Sequence, residues 1–204
     1  MKKPFPLKNN PKAKGLIFDL DGTLVDTMPI HFIAWRNAAA KHGIDFTVKL
    51  FGELAGIPLY PTVVKLNELF GKTIDPKVMG DLKEAEFEEN LHRAKEIKAV
   101  TDIVRMNFGK LPMTVGTGSS RYLALKTLTL MGLQDYFNGI VCSEDVTNYK
   151  PHPETFLKCA ELMGVAPADC EVYEDGVLGL QAAATAGMMA VDVTNYYEVT
   201  IGRE

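Results

Sequence analysis

In the second half of the chain, short apolar runs alternate with longer helical stretches, and this alternation restricts the possible folds more than any other feature. The apolar runs are too short for helices and are bounded by Gly, Pro or acidic residues; they lie at 113–116, 139–142, 171–173 and 189–193. The stretches between them, 121–131, 153–163 and 178–186, each end near a glycine, which is typical of a helix C-terminus. The pattern predicts right-handed crossovers and a parallel sheet covered by helices on both faces.

Residues 29 to about 97 interrupt this alternation. Three consecutive helices are predicted there, at 29–42, 61–70 and 75–94, without a convincing strand between them. We interpret the segment as an all-helical cap domain, residues 28–97, inserted into a Rossmann-like α/β core made of residues 13–27 and 98–204. Residues 1–12 contain several Lys, Pro and Asn and are expected to be a solvated lead-in to the first strand.

Charge and hydropathy argue against several classes of binding partner. The net charge is −4, and acidic and basic residues are mixed along the chain, so there is no basic stripe for nucleic-acid binding. No apolar run reaches the ~18–20 residues that a membrane-spanning helix needs, and the first residues lack the apolar stretch of a secretion signal. We therefore expect a cytoplasmic protein without nucleic-acid or membrane partners, either a monomer or a weak homo-oligomer. Cys142, Cys159 and Cys170 show no disulfide or zinc-ligand spacing and are expected to be packing residues.

Two carboxylates stand at the end of the first apolar run, 14–20 (KGLIFDL). Asp19 and Asp21 are two positions apart, so in extended chain their side chains leave on the same side. Repulsion between them would raise one of their pKa values unless a cation lay between them, and Gly22 allows a tight turn where a ligand can approach. A plain Asp-Gly turn after a strand is the alternative interpretation.

A second acidic pair, Glu174 and Asp175, follows the apolar run 171–173 in the same setting. In a parallel sheet, both pairs lie at the edge formed by the carboxyl ends of the strands. Several carboxylates without His or Cys predict a hard divalent cation, and Mg²⁺ suits oxygen ligands better than zinc does. Taken alone, the pair is also compatible with a helix N-cap.

Anion-binding groups are predicted at the same edge. The segment Thr117–Ser120 (TGSS) ends a strand and opens a helix, so hydroxyls and backbone N–H groups would face a ligand there. Alternatively, Ser119 or Ser120 only caps the helix. Lys150 precedes two closely spaced prolines, which stiffen the backbone and would hold the lysine near a defined place. A solvated loop lysine is the alternative.

These four elements stand in a fixed order, and together they resemble the haloacid dehalogenase-like superfamily over residues 14–194. The elements are Asp19-Leu-Asp21-Gly-Thr23, Thr117 after a strand, Lys150-Pro and Glu174-Asp175. The cap inserted after the first element, with Asp26-Thr27, His31 and Ala34-Trp35, is similar to the β-phosphoglucomutase-like branch. The segment Val115–Ser119 (VGTGS) is similar to fructose-1-phosphatase-like members of that branch.

The resemblance implies covalent catalysis by a carboxylate. Asp19 would be the nucleophile that forms an aspartyl phosphate, and Asp21 would protonate the leaving oxygen and later take a proton from water. The implied ligands of Mg²⁺ are Asp19, the backbone carbonyl of Asp21 and Asp175, with Glu174 nearby. The phosphoryl oxygens would be bound by Thr117, the Gly118 N–H, Ser119 and Lys150. Of these, Thr117 and Lys150 are implied as catalytic, because they stabilise the negative charge of the phosphoryl group. Gly176 stands where many relatives carry Ser.

Two cap residues are implied in substrate binding. Lys83 stands where relatives place a cap lysine near the substrate, and His31 lies one helical turn from Trp35 on the same face. Trp35 itself is expected to pack at a hinge. Because Lys83 has acidic neighbours such as Asp81 and Glu84, it is also compatible with a solvated charged face.

The expected function is that of a Mg²⁺-dependent phosphatase whose substrate is a small phosphorylated metabolite, in particular a sugar phosphate. A phosphosugar mutase of the β-phosphoglucomutase type is the first alternative, and a metabolite-binding protein without catalysis is the second. The segment 55–60 (AGIPLY) favours hydrolysis, because Leu59 stands where mutase relatives carry an arginine, whose guanidinium suits capture of a second phosphate.

Overall fold

The computed structural model describes residues 6–54 and 56–197. Over these ranges the chain forms two compact units, one made of residues 6–26 and 95–197 and the other of Thr27–Ala94. The chain leaves the first unit once and returns to it once. All described strands belong to the first unit, so the second unit is helical throughout its described part.

Seven strands are present in the described residues: β1 (Gly15–Phe18), β2 (Val25–Asp26), β3 (Lys95–Glu96), β4 (Met113–Gly116), β5 (Gly139–Val141), β6 (Cys170–Glu174) and β7 (Met189–Asp192). Five of them form one sheet in the order β5-β4-β1-β6-β7, with parallel neighbours throughout. The short strands β2 and β3 pair with each other in antiparallel fashion. The predicted parallel α/β core is thereby confirmed.

The same ranges contain eight α-helices: α1 (Met28–Ala40), α2 (Val48–Leu54), α3 (Leu59–Phe70), α4 (Pro76–Asn90), α5 (Lys98–Asn107), α6 (Arg121–Leu130), α7 (Glu154–Met163) and α8 (Val177–Thr185). Helices α6, α7 and α8 lie within about one residue of the predicted bounds, whereas α5 was not predicted from the sequence. Helix α7 ends as its sequence indicates, because Gly164 adopts the left-handed conformation at φ 64°, which a residue with a Cβ rarely adopts.

Both faces of the central strand are covered. Every residue of β1 is buried, and successive side chains of a strand point to opposite faces. Ile17 packs in an apolar cluster that includes Phe156 of α7 and Ala182 of α8. On the next residue, the Phe18 ring stacks on Tyr173 at 4.8 Å between centroids. Burial on both faces explains why β1 is apolar throughout and does not alternate.

The helical unit encloses its own apolar core, in which the only tryptophan of the chain is buried. Trp35 stacks on Phe46 with ring centroids 5.8 Å apart, so its predicted packing role is consistent with its position inside this unit. Helix α2 was not anticipated by the sequence pattern, since its seven residues are too few to show a helical period. The helix predicted at 75–94 ends earlier, at Asn90, and a 3-10 turn, Leu91–Arg93, follows it.

The lead-in to β1 is less solvated than its composition suggests. Leu7 is only 6% exposed, and the Asn10 N–H donates to the buried carboxylate of Glu171 at 2.9 Å. The expectation of a solvated segment is therefore wrong at these positions. The contact joins residues 161 positions apart, and no local pattern reveals such a contact.

The three cysteines pack in the interior, as expected. Cys142, Cys159 and Cys170 are buried and unpaired, and burial raises the pKa of Cys142 and Cys159 to about 12, so neither is a reactive thiolate at neutral pH. None of the helices in the described ranges has the length and apolar character that crossing a bilayer requires.

Helix α4 offers a test of the helical unit's stability. The Asp75 carboxylate accepts hydrogen bonds from the N–H groups of Lys77 at 2.7 Å and Val78 at 3.4 Å, so Asp75→Ala should lower the free energy of unfolding by ~1 kcal/mol. Urea denaturation followed by Trp35 fluorescence measures this, because Trp35 lies in the same unit. The matched control is Asp81→Ala, which removes only an exposed ion pair with Lys77 and should cost less than ~0.5 kcal/mol. Equal losses in the two variants would contradict the capping role.

Candidate active site

The end of β1 carries the first two predicted site residues. Asp19 follows the strand directly, and its N–H donates to Tyr173 O at 3.0 Å, so the chain still runs beside β6 at this point. The side chain of Asp19 is buried. Asp21 lies two residues further on, where its Oδ2 accepts a hydrogen bond from the Ser119 hydroxyl at 2.5 Å. Both carboxylates thus have defined partners, Asp19 with Lys150 and Asp21 with Ser119. A functional site requires such partners, and a plain Asp-Gly turn does not.

Gly22 turns the chain tightly beside the second acidic pair. Its φ is 84°, and a Cβ at this position would lie 2.3 Å from Asp175 Oδ2. Asp175 Oδ1 also accepts a hydrogen bond from the Thr23 hydroxyl at 3.0 Å. Residue 22 must therefore be glycine for two reasons, its left-handed backbone and the carboxylate packed against it.

Lys150 joins the ends of three neighbouring strands. Its Nζ lies 2.7 Å from Asp19 Oδ1, 2.8 Å from Glu174 Oε2 and 3.1 Å from the carbonyl oxygen of Gly116. The same atom lies 4.6 Å from the centre of the Phe156 ring, and the side chain is only 13% exposed. The alternative of a solvated loop lysine is therefore wrong. The Lys150–Pro151 peptide bond is cis.

The second acidic pair does not cap helix α8. Gly176 occupies the cap position, and no side-chain capping bond is present there. Instead, Glu174 uses both of its oxygens: Oε2 accepts from Lys150, and Oε1 accepts from the Gly176 N–H at 2.9 Å. The helix-cap interpretation is therefore wrong, and the pair turns toward the other carboxylates.

Three carboxylates crowd together around a single ammonium group. One oxygen each from Asp19, Glu174 and Asp175 lies within 4.8 Å of the other two. Burial, and next the charge of Glu174, raise the pKa of Asp175 to about 7. The pKa of Asp19 is also raised by burial and by Glu174, although Lys150 opposes the shift. The excess of negative charge and the oxygen-only donor set mean that this cluster can hold a metal cation.

The predicted anion site is partly assembled at the same edge. Thr117 is buried, and its Oγ1 accepts a hydrogen bond from the Ser119 N–H at 3.0 Å. Gly118 is exposed, with no atom within 4 Å of the place where a Cβ would lie, so a ligand can approach its backbone. Helix α6 begins after Ser120, and Ser120 makes no side-chain capping bond. The Ser119 hydroxyl bonds to Asp21 instead. Neither serine side chain therefore caps helix α6.

Comparison with known proteins identifies the family. Residues 16–193 match the family model of the haloacid dehalogenase-like hydrolases. The chain belongs to the haloacid dehalogenase-like hydrolase family. The resemblance seen in the sequence is thereby confirmed, and with it the prediction of an enzyme of the phosphatase class, which its named relatives support.

Two curated relatives represent the two activities weighed from the sequence. A fructose-1-phosphate phosphatase of Escherichia coli is 40% identical over 88% of this chain and 95% of its own. A β-phosphoglucomutase of Bacillus subtilis is 31% identical over 88% of this chain and 83% of its own. Among solved structures, a β-phosphoglucomutase of Clostridium difficile has a TM-score of 0.78 and 27% identity, and the match covers 87% of this hydrolase and 83% of that chain.

The two predicted cap residues of the hydrolase lie together within its helical unit. Lys83 Nζ is 3.0 Å from His31 Nδ1, and the His31 ring stacks on Phe87 at 4.2 Å between centroids. Lys83 is only 6% exposed, and its Nζ lies 5.0 Å from the Phe87 ring centre and 5.9 Å from that of Trp35. The alternative that placed Lys83 on a solvated face is therefore wrong. Its role toward a substrate stays a prediction.

Two positions near the carboxylates were missed by sequence reasoning. A Cβ on Gly179, in the first turn of α8, would lie 2.0 Å from Glu174 Oε2, so only glycine leaves room for this carboxylate. The Tyr197 hydroxyl donates a hydrogen bond to the carbonyl oxygen of Gly22, and burial raises the pKa of Tyr197. Gly179 lies in the small-residue sequence of α8, VLGLQAAAT, where it is not distinguished from an ordinary helix-packing position, and Tyr197 has no neighbouring motif that marks it.

Gly179→Ala tests how closely the hydrolase depends on the position of Glu174. The added methyl group must displace the carboxylate that accepts from Lys150, and a shift of about 1 Å at such a site can cost roughly a hundredfold in rate. We expect kcat on p-nitrophenyl phosphate to fall by at least about tenfold. The control is Gly52→Ala in α2, where nothing lies within 4 Å of the new Cβ. Unchanged turnover in Gly179→Ala would contradict the dependence.

Proposed function

We propose that this hydrolase is a Mg²⁺-dependent phosphatase that removes phosphate from a small phosphorylated sugar through a covalent intermediate on Asp19. The observation that carries the proposal is the placement of Asp19. Asp19 is buried between the ammonium group of Lys150 and the carboxylates of Glu174 and Asp175. Two residues further along the chain, the Asp21 carboxylate accepts a hydrogen bond from Ser119. The 40% identity to a fructose-1-phosphate phosphatase supports a sugar phosphate as the substrate class.

The proposed reaction accounts for each bond that forms or breaks and for each proton that is transferred. A carboxylate oxygen of Asp19 attacks phosphorus, the P–O bond to the sugar breaks, and Asp21 gives its proton to the sugar oxygen. Asp21 then takes a proton from water, which attacks phosphorus, and Asp19 is released with free phosphate. The Ser119 hydroxyl favours this division of roles, because it orients the Asp21 carboxyl without engaging Asp19.

The oxygens of the transferred group need donors on the side away from the sugar. We assign this role to Lys150, the Thr117 hydroxyl and the exposed Gly118 N–H, because all three follow strands that end at the same edge of the sheet. Lys150 suits the role because its charge persists: burial acts to lower its pKa, but Asp19 and Glu174 outweigh that effect and raise it. A fixed positive charge stabilises the charge of the transition state.

The donor set fits Mg²⁺. Asp19, the Asp21 carbonyl and Asp175 offer hard oxygen ligands. Burial, and next the charge of Glu174, raise the pKa of Asp175, and a cation bound here would stabilise its ionised form. Both oxygens of Glu174 already accept hydrogen bonds, which favours the two aspartates as direct ligands and leaves Glu174 nearby. When bound, the cation neutralises charge on the phosphoryl oxygens.

A phosphosugar mutase remains the second candidate, because β-phosphoglucomutases are among the relatives and the structural neighbours. Against it, Leu59 offers no charge for a second phosphate: it is the first residue of α3 and packs on the apolar core of the helical unit. Ala55, in the segment that includes this position, lies outside the described residues. A binding protein without catalysis would have no use for the charged cluster around Lys150.

A panel of sugar phosphates tests substrate class and reaction type together. We expect free phosphate to be released, with fructose 1-phosphate among the substrates, in the presence of Mg²⁺. One arm contains β-glucose 1-phosphate with a trace of the bisphosphate, and both glucose 6-phosphate and free phosphate are followed over time. Glucose 6-phosphate that appears well ahead of free phosphate would replace the phosphatase by the mutase. Hydrolysis of p-nitrophenyl phosphate alone would contradict the sugar substrate.

Asp19→Asn should abolish turnover while the fold survives. An amide has nearly the same shape as the carboxylate but is no nucleophile toward phosphorus, so we expect a loss well above the roughly hundredfold that removal of an acid/base contribution alone would cause. Phosphate release is measured on the best substrate of the panel, and circular dichroism serves as the control for folding. More than about a hundredth of wild-type activity in this variant would overturn the covalent mechanism.

A further inference from the structure

The loop that carries Lys150 is held from behind by the first residue of the following helix. We define the Lys150 loop as residues 146–153, between β5 and α7. The carboxylate of Glu154 accepts a hydrogen bond from the Thr147 N–H at 3.0 Å through Oε1. Its other oxygen accepts from the Asn148 N–H at 3.0 Å and from the Asn148 side-chain amide at 2.9 Å. One side chain thereby fixes two successive peptide groups, two and three residues before Lys150.

We propose that Glu154 is a positioning residue, which sets the place of Lys150 in the reaction by anchoring the Lys150 loop. The inference rests on the proposed function, in which Lys150 binds the phosphoryl oxygens. Among the described residues, the side chain of Glu154 bonds to Thr147, Asn148 and Lys158 and not to the carboxylates or hydroxyls of the active site, so it acts through the backbone of the loop. The lysine ammonium is attracted by Asp19 and Glu174, but attraction at the tip does not fix the backbone from which the side chain starts.

Little else holds this part of the loop. Thr147, Asn148 and Tyr149 are exposed, so burial does not order them. The segment just before the loop has its own anchor, because Asp145 accepts from the Cys142 N–H at 2.7 Å and pairs with Arg121. Within the described residues, the hydrogen bonds of the Thr147 and Asn148 N–H groups go to Glu154. The anchor of Thr147 and Asn148 is thus concentrated in a single carboxylate, whereas further along the loop Tyr149 O accepts from the His152 N–H at 2.9 Å.

The chemistry of the contact favours glutamate over its analogues. Two backbone donors and one amide donor stabilise the ionised carboxylate, and together with Lys158 they lower the pKa of Glu154 to about 2. A glutamine keeps one carbonyl oxygen and so can serve only one of the two peptide groups, and an alanine serves neither. Lys158 lies 3.1 Å from Glu154 but is 42% exposed, so this ion pair contributes little to the anchor.

The first experiment compares kinetic constants of single variants on p-nitrophenyl phosphate. Glu154→Ala should lower kcat by roughly tenfold to a hundredfold, as a displaced catalytic group does, and Glu154→Gln should fall between Glu154→Ala and the wild type. KM should change less than kcat, because the charge of Lys150 acts more strongly on the transition state than on the bound ester. Glu161→Ala is the matched control, since it removes an exposed carboxylate from the same helix. Equal losses in Glu154→Ala and Glu161→Ala would overturn the proposal.

The second experiment asks whether Glu154 acts through Lys150. If it does, Glu154→Ala introduced into Lys150→Ala should reduce the remaining kcat by less than about twofold, because residues that act as a unit are not additive. A residue that only supports the fold would cause the same loss in both backgrounds. That additive outcome would overturn the proposal.

A measurement that needs no activity separates this inference from the proposed function. Exchange of the Thr147 and Asn148 amide hydrogens should accelerate by at least about tenfold in Glu154→Ala and remain unchanged in Glu161→Ala, because the bonds that protect these two amides are lost only in the former. Unchanged exchange would overturn the proposal even if activity fell. If the wild type releases phosphate from no ester, accelerated exchange at Thr147 and Asn148 still supports the anchoring of the loop by Glu154 while the proposed function fails.

Discussion

One buried ammonium group joins the carboxyl ends of three neighbouring strands, and the arrangement of the active site depends on it. Lys150 Nζ contacts an acceptor at the end of β4, of β1 and of β6. Removing one partner of such a buried pair leaves a charge out of water without compensation, at a cost of about 3–5 kcal/mol. Three carboxylates can share a small and nearly dry volume only because positive charge is fixed among them. In the proposed enzyme, a divalent cation supplies the remainder.

The backbone around this charge comes unusually close to the carboxylates. Asp175 lies against Gly22, and Glu174 lies against Gly179, each at a distance that excludes a methyl group. In both cases the absence of a side chain on the glycine leaves room for a carboxylate, although the two glycines belong to different elements. The strands themselves are kept in register by the stacked rings of Phe18 and Tyr173, which lie one residue before Asp19 and Glu174. Rigid packing below the site and small residues beside it together define where the oxygens lie.

The parallel core and the grouping of its acidic residues could be predicted because both depend on local features. A buried strand is recognisable by its apolar run, and the residues that follow it must meet at one edge of the sheet. The environment of Lys83 could not be predicted in the same way, since the acids that flank it in sequence favour a solvated position and only the packing of α4 buries it. The contacts of Asn10 with Glu171 and of Tyr197 with Gly22 join distant parts of the chain. No period or motif in a single sequence encodes such contacts. The roles assigned to the site residues rest on the family resemblance and await the variants.

The strand order has a consequence for biosynthesis. β1 is among the first elements to be made, but both of its partners, β4 and β6, come from much later parts of the chain. At translation rates of ~5–20 residues per second, β1 waits on the order of 10–30 s after it is made before β6 exists. The helical unit, by contrast, is encoded in one continuous stretch and has all of its residues at hand much earlier. A nascent chain of this hydrolase therefore carries the apolar strand β1 without its full set of neighbours until β6 has been made.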